Sequence, residues 1–277
     1  MQSRIKVNSR ISVYAVYAVL TFVVLFPLSW AILGAFKGAD ELFAFPPTIW
    51  PRSPTFAAFL EIFDQGAFLG FVWNTVVVAV CTVLLTVCFG AMAGYAFSRW
   101  DFQFKDSALV VLLALQLIPT TVNIVPYYMM MNALGLINSK LGLIIIYTAN
   151  NIPLTIWLMK GFFDTIPRSL DEAASIDGCS KARTFVSVIL PLALPGLSVA
   201  GYLVFLASWS EFLIPLVITP SRDVGVVSVG LYGYFVADSA AINVQLAATI
   251  IGIAPVIIAY VFAQRYLASG LTAFAEK

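Results

Sequence analysis

Charged residues divide this chain into long apolar runs. Residues 11–36, 65–98, 107–139, 184–210 and 239–264 carry no charged side chain, and 141–159 adds a shorter uncharged stretch. A helix needs about 20 mostly apolar residues to cross the hydrocarbon core of a bilayer. The pattern predicts an all-α integral membrane protein with six transmembrane helices, near 11–35, 70–97, 107–130, 141–163, 194–218 and 243–265. The first run follows Arg4, Lys6 and Arg10, as the apolar stretch of a secretory signal does. It is longer than the roughly 7–15 residues of such a stretch, and no A-x-A-like site ends it. It therefore reads as a span.

Inside these runs, Pro119, Pro126 and Pro153 are expected to interrupt the third and fourth helices, because proline removes a backbone donor. Broken helices at membrane depth are tolerated where they line a cavity or are covered by protein. Gly90 and Gly94, with Ala91 and Ala93, give the second helix a small face suited to close helix packing.

Composition agrees with the pattern. Apolar residues make up 61% of the 277, against roughly 45–50% in soluble proteins, and charged residues 10%, against about 25%. That leaves too little polar surface to cover a soluble domain of this size. An ordinary cytosolic enzyme, a disordered chain and a nucleic-acid binder are excluded, the last for want of a basic patch. A net charge of +1 provides no global field to steer anionic partners. Cys81, Cys88 and Cys179 are too few and too scattered for a disulfide framework, and with no histidine a zinc site is not expected.

The basic residues set the orientation. With the N-terminus in the cytoplasm, the cytoplasmic segments hold Arg4, Lys6, Arg10, Arg99, Lys105, Lys160, Arg168, Lys181, Arg183, Arg265 and Lys277. The outer segments hold only Lys37, Arg52, Lys140 and Arg222. Both termini are thus predicted to be cytoplasmic. The outer segment 38–66, rich in proline and aromatics, is expected to be ordered and partly interfacial. The segment 219–241 combines Gly225, Gly230 and Gly233 with Tyr232, Tyr234 and Phe235, as either a docking surface or an interfacial belt.

The cytoplasmic loop 164–191 is the most informative stretch. Ser169 and Glu172 have the spacing of a capping box, and Asp171 and Glu172 suit the positive end of a helix. Gly178 can take the left-handed conformation that ends it. A two-turn helix over about 170–177 is predicted outside the membrane, with a second starting near Ser180 and running into Pro191 and Pro195.

Glu172-Ala173-Ala174, then Gly178, then Val188-Ile189-Leu190-Pro191 resembles the EAA loop of ABC importer permeases. Val188 stands where the family pattern has isoleucine. Leu134-Gly135-Leu136, Phe162-Phe163, Ile166-Pro167, Asp177-Gly178, Trp209 with Glu211-Phe212-Leu213, and Gly270-Leu271-Thr272-Ala273 are similar to the carbohydrate-uptake permeases. Among these the chain resembles the smaller, six-helix subunit of the maltose-transporter kind, over nearly its whole length. Ser210 departs from the asparagine common there.

The resemblance implies a type I importer fold, with residues 1–277 as one permease domain that does no chemistry itself. It implies a second homologous permease subunit, two ATP-binding subunits and an extracytoplasmic solute-binding protein, all at the cell inner membrane. ATP and magnesium would sit on the ATPase partners, with no cofactor on this chain and no nucleic acid. Leu170, Glu172, Ala173, Ala174, Asp177 and Gly178 would couple to the ATPase, and the tail at Leu271 and Thr272 would touch the ATPase pair. Glu172 would pair with a basic ATPase residue, and Ala173, Ala174 and Gly178 would allow close approach. Capping of its own helix is the other role open to Glu172.

Solute contacts are drawn from polar residues within the spans. Gln116, Asn123, Tyr147, Asn150 and Asn151 lie near the expected kinks, where they can bind sugar hydroxyls or hold helices together. Glu211 is the single carboxylate inside an apolar segment, about 17 residues into the fifth helix and so near the outer face at about 1.5 Å per residue. It is a candidate for a gate, a solute contact or a partner contact.

Three other classes fit the sequence less well. A permease for a non-carbohydrate solute shares the loop motif. An ion-coupled secondary transporter leaves that motif unexplained, and the two halves show no repeat. A membrane enzyme lacks histidine, H-E-x-x-H and G-x-S-x-G. Gly225 and Gly230 have P-loop spacing, but Leu231 and Tyr232 follow in place of Lys and Ser/Thr. ATP is therefore expected to be hydrolysed on another chain.

Overall fold

The computed structural model describes residues 2–236 and 241–275, without the side chains of 2–12, 65, 236 and 267–275. The described residues are mostly helical, with no strand among them. In chain order the helices are α1 (Gln2–Ala35), α2 (Ala39–Leu42), α3 (Ala57–Gln65), α4 (Ala67–Arg99), α5 (Lys105–Leu115), α6 (Thr120–Ala133) and α7 (Lys140–Thr165). They continue as α8 (Ser169–Ile176), α9 (Lys181–Thr184), α10 (Leu190–Leu192), α11 (Leu194–Ser210), α12 (Leu213–Ile218), α13 (Val227–Val236) and α14 (Ile242–Ala275).

Four described helices are long and apolar enough to cross a membrane: Val13–Ala35, Ala67–Arg99, Lys140–Thr165 and Ile242–Tyr266. Two bent pairs raise the number to six if each counts as one span. Lys105–Leu115 meets Thr120–Ala133 at 94°, and Lys181–Leu192 meets Leu194–Ser210 at 79°. Of the three prolines expected to interrupt helices, only Pro119 coincides with a break, standing at the N-terminus of α6. Pro126 and Pro153 lie inside continuous helices. A helix survives an internal proline when its lost bond is isolated and neighbours support the flanking turns.

The chain forms two compact units. The first comprises residues 1–69 and 231–252. Here the segment after α1 is tied down by polar contacts. The buried Lys37 ammonium donates to the Thr48 carbonyl, and its charge lies 5.2 Å from the Trp30 ring centre. Glu41 Oε1 accepts from the Arg52 backbone N–H at 2.7 Å and from the Thr48 hydroxyl at 3.0 Å. These donors, the Arg52 N–H foremost, hold the Glu41 carboxyl below its ordinary value. Asn243 on α14 donates to the Lys37 carbonyl at 3.1 Å.

The second unit comprises 70–230 and 253–277, and α7 is its axis. Two apolar clusters lie at opposite ends of α7. One gathers Val78, Met131, Leu143, Ile144, Ile146, Ile214, Ile218 and Val226. The other gathers Ala91, Tyr95, Met159, Phe163, Ile189, Ala193 and Ala200. Helix α4 approaches α7 through its glycine face, as its small residues predict. A Cβ at Gly90 would lie 2.4 Å from Thr155 Cγ2, and one at Gly94 2.8 Å from Met159 Cβ and 3.0 Å from the Lys160 backbone nitrogen.

Candidate functional site

Between the two clusters, a cavity of about 410 Å³ opens beside the middle of α7. Gln116, Asn123, Tyr147, Asn150, Asn151 and Glu211, the six polar residues singled out from the spans, all line it. Three features of the chain bring them together. The α5–α6 break puts Gln116 and Asn123 on either side of a sharp bend. On α7, Pro153 has no N–H to give the Ala149 carbonyl, which loosens the turn holding Asn150 and Asn151. Finally, α11 stops at Ser210, so Glu211 stands at a break.

Glu211 follows the last residue of α11, where the sequence predicts that the fifth helix continues to 218. It shares the cavity with Asn150, which is ten residues, or about 15 Å, along the 26-residue α7. The chain breaks at Glu211 and restarts as α12. Glu211 Oε1 accepts from the Leu213 and Ile214 N–H groups at 3.0 and 3.2 Å, capping α12.

Several cavity residues also hold helices together. Gln116 donates to the Asn150 carbonyl at 2.7 Å, and Tyr127 on α6 donates to Asn150 Oδ1 at 2.6 Å. The Asn151 amide donates to the Tyr147 carbonyl at 2.8 Å. The buried Tyr147 hydroxyl has no hydrogen-bond partner among the described residues. No Lys or Arg is among the lining residues.

At the other end of α7 lies α8, built as the sequence signals suggest, with one correction. Its C-terminus is a Schellman motif. Gly178 sits at φ +80°, its N–H bonding the Ser175 carbonyl at 3.1 Å, and the Cys179 N–H bonds the Ala174 carbonyl at 2.9 Å. The capping box is not formed. The helix begins at Ser169, one residue earlier than the box requires, with Arg168 at the cap position and no side-chain cap. The exposed Glu172 side chain makes no hydrogen bond or ion pair among the described residues, so self-capping does not occupy it.

Leu170, Glu172, Ala173, Asp177 and Gly178 are exposed, as is Ile176 at 86%. Ala174 is instead buried, so the close approach it permits is that of α8 to its own chain. After α8, the Ser180 hydroxyl caps α9 by accepting from the Arg183 N–H at 3.3 Å. A π-helical stretch, Phe185–Ile189, then leads through α10 to α11. Leu271 and Thr272 fall on α14, and their side chains lie outside the described residues.

In the sequence Arg99 stands out only as one of the basic residues that set the orientation. In the structure its side chain is 7% exposed, and its Nε pairs with Asp171 Oδ2 at 2.9 Å without the alignment of a hydrogen bond. Arg99 Nη1 and Nη2 donate to the Phe163 and Ile166 carbonyls, each at 3.0 Å. The Tyr95 hydroxyl donates to the other Asp171 oxygen. Removing one partner of a buried pair leaves an uncompensated charge and typically costs about 3–5 kcal/mol. The available signal was a lone basic residue closing the second span, opposite an acid in the loop.

Residues 86–273 match the family described as binding-protein-dependent transport system inner membrane component. The chain belongs to that family. It is a transporter permease subunit in a multi-pass membrane protein family, and the ATPase activity of such importers lies in separate subunits. The permease is 34% identical over 249 residues to the sulfoquinovosyl glycerol transport system permease protein SmoH of Agrobacterium fabrum, covering 90% of this chain and 87% of that one. It is 32% identical to the maltodextrin transport system permease protein MdxG of Bacillus subtilis, covering 99% of each. Its fold matches a chain of a bacterial ABC transporter that imports the acidic polysaccharide alginate. There the TM-score is 0.83 at 21% identity, over 93% of this chain and 95% of that one.

Proposed function

We propose that the permease carries a carbohydrate through the cavity at the middle of α7, driven by ATPase subunits that dock on α8. Residues 1–277 act as one permease domain with six spans and both termini in the cytoplasm. It pairs with a second homologous permease, two ATP-binding subunits that hold ATP and magnesium, and an extracytoplasmic solute-binding protein. Leu170, Glu172, Ala173, Asp177 and Gly178 form the docking face, Ala174 seats α8 on its own chain, and Leu271 and Thr272 contribute from the tail. The names of the curated relatives support a carbohydrate as the solute.

The observation that carries this reading is the chemistry of the cavity. Amides and hydroxyls from the α5–α6 bend, α6, α7 and α11 converge beside the middle of α7, in a volume within the roughly 300–1,000 Å³ range of small-molecule sites. Neutral amides and a buried unpaired hydroxyl suit a hydroxyl-rich solute, which both donates and accepts hydrogen bonds. Gln116, Asn123, Tyr147, Asn150, Asn151 and Glu211 form this path.

The test is ATP hydrolysis by the reconstituted transporter, with its binding protein, across a panel of sugars. Stimulation by one or more sugars is expected, and stimulation by amino acids or peptides alone overturns the carbohydrate assignment. Asn150→Ala removes the acceptor of Tyr127 and a donor to the cavity. A lost hydrogen bond of this kind is worth about 0.5–1.5 kcal/mol, so the half-saturating sugar concentration should rise by roughly two- to tenfold. An unchanged concentration dependence removes Asn150 from the path.

A further inference from the structure

We propose that Arg99, Asp171 and Tyr95 form a clamp that makes α8 move as one body with α4 and α7. The proposal rests on α8 being the helix on which the ATPase docks. A docked helix transmits motion only if it cannot pivot on its own connections. The link between α7 and α8 is short, Ile166-Pro167-Arg168, and on the far side Gly178 breaks the chain direction. Either could serve as a hinge.

The clamp removes that freedom. Asp171 stands in the first turn of α8, and each of its oxygens has a partner on α4: the Tyr95 hydroxyl and the Arg99 guanidinium. The remaining guanidinium nitrogens take the Phe163 carbonyl in the last turn of α7 and the carbonyl of Ile166, its C-cap residue. One planar group thus joins three helices, and its charge suits the negative end of α7. A second strand of contacts runs alongside. Arg168 donates to the Ser98 carbonyl at 2.8 Å, and the Ser98 hydroxyl donates to Asp164 at 2.7 Å. The Tyr95 ring packs on Phe163 and Phe185, with centres 5.5 and 4.9 Å apart, which fixes the direction of its hydroxyl.

Lysine cannot replace Arg99 here. An ammonium carries the charge but lacks the fixed fork that reaches Asp171 on α8 and two carbonyls at the end of α7 together. Arg99→Lys, Asp171→Asn and Tyr95→Phe each weaken the clamp with little change of volume. Arg99, Asp171 and Tyr95 are positioning residues, since they act through α8.

The test uses the whole transporter, with both permeases and the ATPase subunits. Cys81, Cys88 and Cys179 are replaced by serine, and spin labels are placed at Ser169→Cys on α8 and Leu154→Cys on α7. The label-to-label distance is measured without nucleotide and after trapping with magnesium, ATP and vanadate. In the parent protein the distance is expected to stay narrow and unshifted on trapping. In Arg99→Lys and Asp171→Asn, it broadens and shifts by several ångströms on trapping only, while the ATPase still co-purifies. Tyr95→Phe gives a smaller change of the same kind and covers the case in which a charge variant fails to fold. An unshifted distance in all three variants overturns the clamp and leaves docking at α8 intact. A shift already present without nucleotide marks a purely structural role and also overturns it. ATPase subunits that co-purify undiminished with Glu172→Ala/Gly178→Trp overturn docking at α8, and the clamp with it.

Discussion

Glu172→Ala is expected to leave the permease in the membrane and to reduce solute uptake by about 25-fold or more. The size follows from the cost of truncating one partner of a hydrogen-bonded charge pair at an interface, about 2–5 kcal/mol, at about 1.4 kcal/mol per tenfold. Little of this loss should come from the fold. Glu172 is exposed, uses no side-chain hydrogen bond within the described chain, and lies on a helix that starts at Ser169 without its help. Gly178 provides an independent measure of the same surface. At φ +80° any side chain is strained, by roughly 1–2 kcal/mol. A Cβ there meets nothing within 4 Å, so bulk as such is not excluded by this chain. Gly178→Ala therefore reads the strain alone, and Gly178→Trp adds only what a partner would feel. Uptake by Gly178→Trp should fall well below that of Gly178→Ala. Equal uptake in the two, with normal uptake by Glu172→Ala, would remove α8 from the coupling path.

What was legible in the sequence, and what was not, divides by range. Helix α8 was legible because its signals are local: acids in the first turn, and a glycine whose φ closes a Schellman motif. Only the cap was misplaced, by one residue, since Ser169 joins the helix and does not precede it. The cavity residues were legible one at a time, as amides stranded in apolar runs. Their convergence was not, because it depends on a 94° bend and on the early end of α11, and neither has a periodic signature. For the same reason the pattern predicts a fifth helix running on to 218 and gives no sign of the break at Glu211. The Arg99–Asp171 pair leaves only the signal of a lone basic residue and a distant acid, because its partners sit on elements separated by two further helices and a whole span.

Close packing follows the same division, and Gly196 is where it predicts the largest loss of stability. Gly90 and Gly94 announce themselves as a small-residue face on α4, but near the start of α11 Gly196 has only the alanines Ala193 and Ala200 as small neighbours one turn away. It is nevertheless buried, and a Cβ there would lie 2.4 Å from Cγ and 2.6 Å from Cδ2 of Phe162. Those atoms are the root of a ring that is itself 5% exposed on α7, so the ring cannot swing aside. Overpacking of this kind costs about 1–3 kcal/mol for a small insertion. Gly201, five residues further along the same helix, is the control. Its Cβ would meet Val83 at 3.6 Å, an ordinary contact. There alanine gains helix propensity, worth up to about 1 kcal/mol over glycine. Thermal unfolding of the purified permease in detergent should therefore show Gly201→Ala at or above the parent midpoint and Gly196→Ala below it. Gly196→Leu should yield almost no folded protein, because three further carbons must enter a space that does not admit the first. A midpoint for Gly196→Ala equal to that of Gly201→Ala would mean that α11 and α7 can separate without cost. The axis of the second unit would then have to be sought elsewhere than in the contact of Gly196 with Phe162.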